Sequence, residues 1–228
     1  MAPLLGTNCY LVSDPAGRCL IVDPGGGVSG AVRGAVTDAG LVPTAVLVTH
    51  GHLDHTWDAA TVADEFSVRV LIHDRDAYRL DDPLGTLGPL GAQIAAMAGV
   101  SAGPPRPRRV EPFGTADGGD TRLDPWNNDD DAGGRVGITA IHCPGHTEGS
   151  TVYLLERPDG PDIALTGDVL FAGTIGRTDL PGGDTTAMEA ALRRLARLDP
   201  QTEILPGHGP ASTIAAELSG NPYLRAAR

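Results

Sequence analysis

Residues 49–55 read Thr-His-Gly-His-Leu-Asp-His, which sets three imidazoles and a carboxylate within six consecutive positions. The apolar run Ala45–Thr49 leads straight into this stretch, so the cluster stands where a predicted buried strand ends. Packing so many titratable groups together without a metal would bury polar groups that have no evident partners. Neutral imidazoles with carboxylate support suit Zn²⁺ or Fe. The chain must therefore fold so that a strand ends in a turn anchored on one side and open on the other.

Three further junctions of the same kind follow. They are Cys-Pro-Gly-His-Thr at 143–147, Thr-Gly-Asp at 166–168, and Pro-Gly-His-Gly-Pro at 206–210. Five of the seven histidines thus fall at Gly-containing strand ends, with Asp168 at another. One turn cannot aim His50, His52, Asp54 and His55 at a single small ion, but it can divide them between two adjacent ions. On that reading His50 and His52 take one metal and Asp54 and His55 the other. His146 completes the first, His208 the second, and Asp168 bridges them. The two remaining histidines, His73 and His142, read as surface or hydrogen-bonding residues.

The chain has 228 residues and a formal charge of −12, a poor match to a phosphate backbone, so nucleic acid is not an expected partner. All basic residues are arginine, which excludes Schiff-base and lysine-nucleophile chemistry. Three cysteines without a CxxC pair suit a reducing compartment better than a disulfide framework. The N-terminus lacks the basic and apolar regions of a signal peptide, and no apolar run approaches the roughly 18 residues of a membrane span. A soluble, cytoplasmic protein without a membrane partner is expected. Oligomeric state is not encoded in any recognisable feature.

Hydrophobic content of 41% is ample for a core, and 31 glycines and 19 prolines point to many turns. Periodicity predicts strands at Asn8–Ser13, Cys19–Val22, Ala45–Thr49, Val68–Ile72, Val136–His142, Thr151–Leu155, Ile163–Thr166 and Glu203–Leu205. It predicts helices at Val28–Ala39, Trp57–Phe66, Leu90–Ala98, Thr185–Leu198 and Ser212–Leu218. Strands and helices alternate in each half, giving a mixed α/β protein read as one domain over 1–228. The acidic stretch 117–134, with its run from Asn127 to Asp131, lacks the ligand spacing and closing Glu of an EF-hand and reads as a solvated loop.

The motifs THGHLDH, PGHTEGS, TGDVLF and PGHG, in this order and spacing, resemble the metallo-β-lactamase superfamily. The likeness runs from Thr7-Asn8-Cys9-Tyr10 to Asn221-Pro222-Tyr223-Leu224. It implies a four-layer αββα sandwich with helices outside and metals in the groove at one edge. It also implies the ligand set already given: His50, His52, Asp54, His55, His146, Asp168 and His208. The stretch from Gly167 to Asp184 is similar to that of short glyoxalase II-like proteins, which hydrolyse thioesters of 2-hydroxy acids such as S-lactoylglutathione. Full-length glyoxalase II enzymes carry a C-terminal helical domain that contacts glutathione. This chain runs about 20 residues past His208, so that domain is expected to be absent and the thiol is left open.

The resemblance implies a bridging hydroxide as attacking group, with Asp54 orienting it and no strong general acid needed for a thiolate leaving group. Two divalent ions are expected, Zn most in keeping with the ligands and Fe or Mn also compatible. Asp23, in Asp-Pro-Gly, is either a support for a ligating imidazole or a turn former. Arg177 is a candidate for binding a substrate carboxylate, or for a surface salt bridge. Cys143 reads as a small buried residue rather than a nucleophile. Competing activities on this fold are a persulfide dioxygenase with a single iron and a broad lactonase or esterase. Fold alone decides none of them.

Overall fold

In the computed structural model, which describes residues 1–126 and 136–228, the chain forms two compact units. The first comprises Met1–Phe113 with the described part of 124–135, and the second Gly114–Leu123 with the residues from Val136 to Arg228. The acidic run 127–131 lies outside the described residues.

The first unit is built on one five-stranded sheet, in order β1-β2-β3-β4-β5. Strands β1 (Tyr10–Ser13) and β2 (Arg18–Val22) form the antiparallel pair anticipated around the Asp14-Pro15-Ala16-Gly17 turn. Asp14 closes that turn, its Oδ1 accepting from the amides of Ala16 and Arg18 at 3.0 and 2.9 Å. Strands β3 (Val42–Leu47), β4 (Arg69–His73) and β5 (Val110–Phe113) add in parallel. Alternate residues Cys19, Ile21, Val46, Val48, Val70 and Ile72 share one core with Val32 and Val36 of α1 (Ser29–Asp38) and Val62 and Ala63 of α3 (Ala59–Phe66). Between β3 and α3 stands a four-residue helix, α2 (Leu53–Thr56).

The second unit holds a six-stranded sheet in the order β13-β12-β9-β8-β7-β6. Its strands are β6 (Thr121–Leu123), β7 (Gly137–His142), β8 (Thr151–Glu156), β9 (Ile163–Gly167), β12 (Glu203–Pro206) and β13 (Ser212–Thr213). Pairing is antiparallel throughout except between β9 and β12. Helix α5 (Thr185–Leu195) lays Met188, Ala191, Leu192 and Leu195 onto Ile141, Val152, Ala164 and Ile204 of the sheet. A small hairpin pairs β10 (Leu170–Phe171) with β11 (Thr174–Ile175), and the chain closes with α6 (Ile214–Gly220) and α7 (Pro222–Ala226).

The architecture is mixed α/β, as the alternation of periods implies. The differences lie in short elements. The helix expected over 57–66 starts at Ala59, where Asp58 turns its carboxylate to the Ser29 amide at 2.8 Å, and the separate short helix α2 precedes it at Leu53–Thr56. The helix expected over 185–198 ends at Leu195, and that expected at 212–218 is a two-residue strand running into α6. Strands β5, β6, β10 and β11, helix α7 and the 3₁₀ turns at Asp74–Leu80 and Gly85–Leu87 had no period long enough to announce them. Helix α4 (Pro89–Ala98) occupies the expected place, with proline in its first turn and Gly99 just past its end. Among the described residues no helix is long and apolar enough to cross a membrane.

Candidate metal centre

In the first unit, β3 and the two residues after it deliver the chain to His50 with its neighbours already fixed. Thr49, His50, His52 and His55 are all buried. Asp23, at the end of β2, holds this stretch together. Its Oδ1 accepts from the Thr49 amide at 2.8 Å, and its Oδ2 accepts from the Thr49 hydroxyl at 2.7 Å and faces His55 Nδ1 at 2.9 Å. Of the two readings for Asp23, the geometry places it behind the His55 imidazole, directing Nε2 forward. His50 Nδ1 lies 3.2 Å from the Thr49 hydroxyl. Asp54, in the first turn of α2, accepts from the buried Thr7 hydroxyl at 3.2 Å.

The forward-facing atoms pair closely. His50 Nε2 lies 3.1 Å from His52 Nδ1, and His55 Nε2 lies 3.5 Å from Asp54 Oδ2. The first unit thus presents two donor pairs.

The second unit presents three donors from three strand ends. Strand β7 stops at His142, and the turn after it is braced by the Thr147 amide and hydroxyl, 3.0 and 2.8 Å from the Ser150 hydroxyl. Gly145 sits at φ 147° with the Met188 backbone of α5 so near that a Cβ would come within 2.5 Å of it, so this turn tolerates no side chain before His146. His146 Nδ1 donates to the Arg177 carbonyl at 2.7 Å, leaving Nε2 as its outward donor. Asp168 follows β9, and the Gly207 amide donates to the Gly167 carbonyl at 2.9 Å, tying the His208 turn to the Asp168 turn. One oxygen, Asp168 Oδ2, lies 3.6 Å from His146 Nε2 and 3.7 Å from His208 Nε2.

These spacings test the donor set against a metal. Ligands held at about 2.0–2.2 Å around a tetrahedral ion are separated by roughly 3.3–3.6 Å along each edge. The His50–His52, Asp54–His55, His146–Asp168 and His208–Asp168 separations, 3.1–3.7 Å, fall on or next to that edge length. Each of the seven predicted residues offers a ligand atom, and the imidazoles and carboxylates that each unit presents suit a divalent cation.

Other predicted residues have different surroundings. Arg177 is exposed and forks onto Asp179, with Nε and Nη2 each 2.7 Å from a carboxylate oxygen. That bonding lowers the Asp179 carboxyl to about 2. Cys143 is fully buried, and desolvation pushes its thiol up to about 12, as befits a packing residue. His73 and His142 are buried and hydrogen-bonded: His73 Nδ1 accepts from the Arg75 amide, and His142 lies between the Gly118 and Glu148 carbonyls. In the acidic stretch, Asp117 caps the Gly119 amide and Asp120 pairs with Arg194. The supporting roles of Thr7 and of the Arg177 carbonyl left no sequence signal, since one is a common residue and the other is backbone.

A model of the metallo-β-lactamase superfamily matches residues 2–208. The chain belongs to that superfamily. Its matched stretch contains all seven candidate ligands and runs through both units. Among relatives, a hydroxyacylglutathione hydrolase, GloC, of Haemophilus influenzae is 30% identical over 219 residues, covering 95% of this chain and 92% of that one. Among solved structures, the BLEG-1 B3 metallo-β-lactamase superposes with a TM-score of 0.79 at 30% identity, covering 98% of this chain and 96% of the other. The protein TTHA1623, in a di-iron-bound form, gives 0.74 at 30% identity with 98% and 97% covered. The fold is thus that of the superfamily, and the chain is a member of a group of metal-dependent hydrolases.

Proposed function

We propose that this superfamily member is a binuclear thioesterase, cleaving S-2-hydroxyacyl thiol esters such as S-lactoylglutathione or the ester of an equivalent small thiol. The observation that carries the reading is the double reach of Asp168 Oδ2, 3.6 Å from one imidazole and 3.7 Å from another. A carboxylate shared in this way suits two neighbouring ions better than one. Similarity to the Haemophilus GloC over nearly its whole length supports the thioester class.

In this reading His50, His52 and His146 would hold one ion, Asp54, His55 and His208 the other, and Asp168 would serve both. The ions supply an activated water and a Lewis acid for the carbonyl oxygen. Asp54 orients the attacking water, and the Thr7 hydroxyl at 3.2 Å keeps its carboxylate from rotating away. Asp23 and the Arg177 carbonyl hold the His55 and His146 rings in the tautomer that presents Nε2. Water adds to the thioester carbonyl carbon, the C–S bond breaks, and the products are a hydroxy acid and a thiol. The thiolate departs without a strong general acid.

Zn is the proposed metal on ligand chemistry, with Fe the rival, since the TTHA1623 structure is a di-iron form. The proposed partner is the small thioester alone, without nucleic acid or membrane, and three free cysteines favour a reducing, cytoplasmic setting. Elemental analysis of the purified protein, together with thiol release from S-lactoylglutathione, tests the proposal. Nearly two metals per chain with turnover is the expected result. Two metals with hydrolysis of lactones or a β-lactam and no thiol release would reject the thioesterase assignment. One iron per chain with oxygen uptake on persulfides would make it a dioxygenase.

A further inference from the structure

Beneath the ligand turn of the first unit lies a charge pair that the proposed chemistry does not use. Asp76 and Arg79, on the 3₁₀ turn Asp74–Leu80 after β4, are both wholly buried at 0% exposure. Asp76 Oδ2 accepts from the amide of Gly51, the residue between His50 and His52, at 2.7 Å. Asp76 Oδ1 faces Arg79 Nε at 3.4 Å. The Arg79 stem lies directly under Gly51, where a Cβ would come within 2.8 Å of Arg79 Cβ and Cδ and 2.9 Å of the Asp76 carbonyl oxygen. Gly51 does not have a positive φ. Glycine is required there for space and not for backbone conformation.

Two charges taken out of water are a weak source of stability, because a hydrophobic pair of similar volume serves a core as well or better. What a hydrophobic pair cannot do is accept the Gly51 N–H. We infer that Asp76, held by Arg79, is a positioning residue that clamps Gly51 and thereby sets the 3.1 Å spacing of the His50 and His52 donor atoms. Its action is confined to the ion taking those two imidazoles. Asp54 and His55 are steadied from other directions, by Thr7 and Asp23. The inference rests on the two-metal reading given above and extends it to a residue outside the ligand set.

The experiment compares two double variants, D76N/R79M and D76L/R79M, with native protein. Both remove the buried charges, and only the first keeps an acceptor for Gly51. Zn²⁺ binding is measured by chelator competition, and the Co²⁺-loaded proteins are compared by their absorption bands, with no substrate present. D76L/R79M should lose about 10- to 100-fold in affinity at one of two sites, the usual scale for a group supporting metal ligands. The other site should stay within about threefold, and D76N/R79M should restore most of the loss at the first. Gly51→Ala, which presses on the same stem, should reproduce the one-site loss should either double variant fail to fold. Equal weakening of both sites, or affinities like native in D76L/R79M and Gly51→Ala, would overturn the clamp. Native protein that takes up no metal would instead reject the two-metal reading itself.

Discussion

Asp168 is the residue on which the binuclear reading turns, because both of its neighbouring imidazoles approach the same oxygen. Asp168→Ala should lower bound metal from about two per chain to one or less and cut turnover at least about 100-fold, in line with losses on removing key electrostatic groups. Unchanged stoichiometry with full activity would refute the bridge. Arg177 divides its labour: the carbonyl steadies His146, while the side chain, forked onto Asp179, is open to solvent. Arg177→Ala should raise KM for anionic thioesters about three- to tenfold, the discounted worth of an exposed charged hydrogen bond, and leave neutral ones nearly unchanged. Equal effects on both substrates would remove its side chain from binding. The seven candidate ligand positions were legible from residue type and spacing. Asp23 could be read two ways until its carboxylate was found against Thr49 and His55.

Among the elements, α5 does more than cover its sheet. Asp184 accepts from the Ala187 amide at 2.9 Å as the helix N-cap, and its own amide donates to the Gly145 carbonyl at 2.9 Å. The start of the helix is therefore tied to the turn that presents His146. Asp184→Ala should cost about 1 kcal/mol and lower Tm by roughly 2–4 °C. A calorimetric scan showing no shift would mean that solvent replaces the cap. Long amphipathic elements such as α1 and α5, and the buried strands β2, β3 and β4, were readable because several residues repeat at one period. Two-residue strands such as β10 and β13 were not, because pairing across the sheet and not local pattern makes them strands.

For the whole molecule, the three cysteines set a limit at alkaline pH. Burial raises the Cys9 and Cys143 thiols to about 12 and the Cys19 thiol to about 11, against an ordinary 9. Below the ordinary value, folded and unfolded chains both keep these protons. Above it the unfolded chain releases them while the folded chain retains them, so stability falls as pH rises from about 9 towards the folded values. Urea midpoints should therefore drop between pH 8 and 10, and replacing Cys143 by Ala should flatten part of that slope. Thiol reagents at pH 8 should leave Cys19 and Cys143 unmodified until the chain unfolds; rapid labelling of Cys143 in native protein would contradict its burial.

The sequence by itself determined the chemistry that is possible: which residues can ligate, at which strand ends they stand, and which superfamily carries such motifs. Those features are local, written in residue type, short spacing and hydrophobic period. Tertiary structure decided how the candidate ligands are supported. Thr7 reaches Asp54 across 47 positions, Asp23 reaches His55 across 32, and the Arg177 carbonyl meets His146 across 31. No local pattern encodes such pairs, because they arise only when turns far apart in the chain are brought within hydrogen-bonding distance.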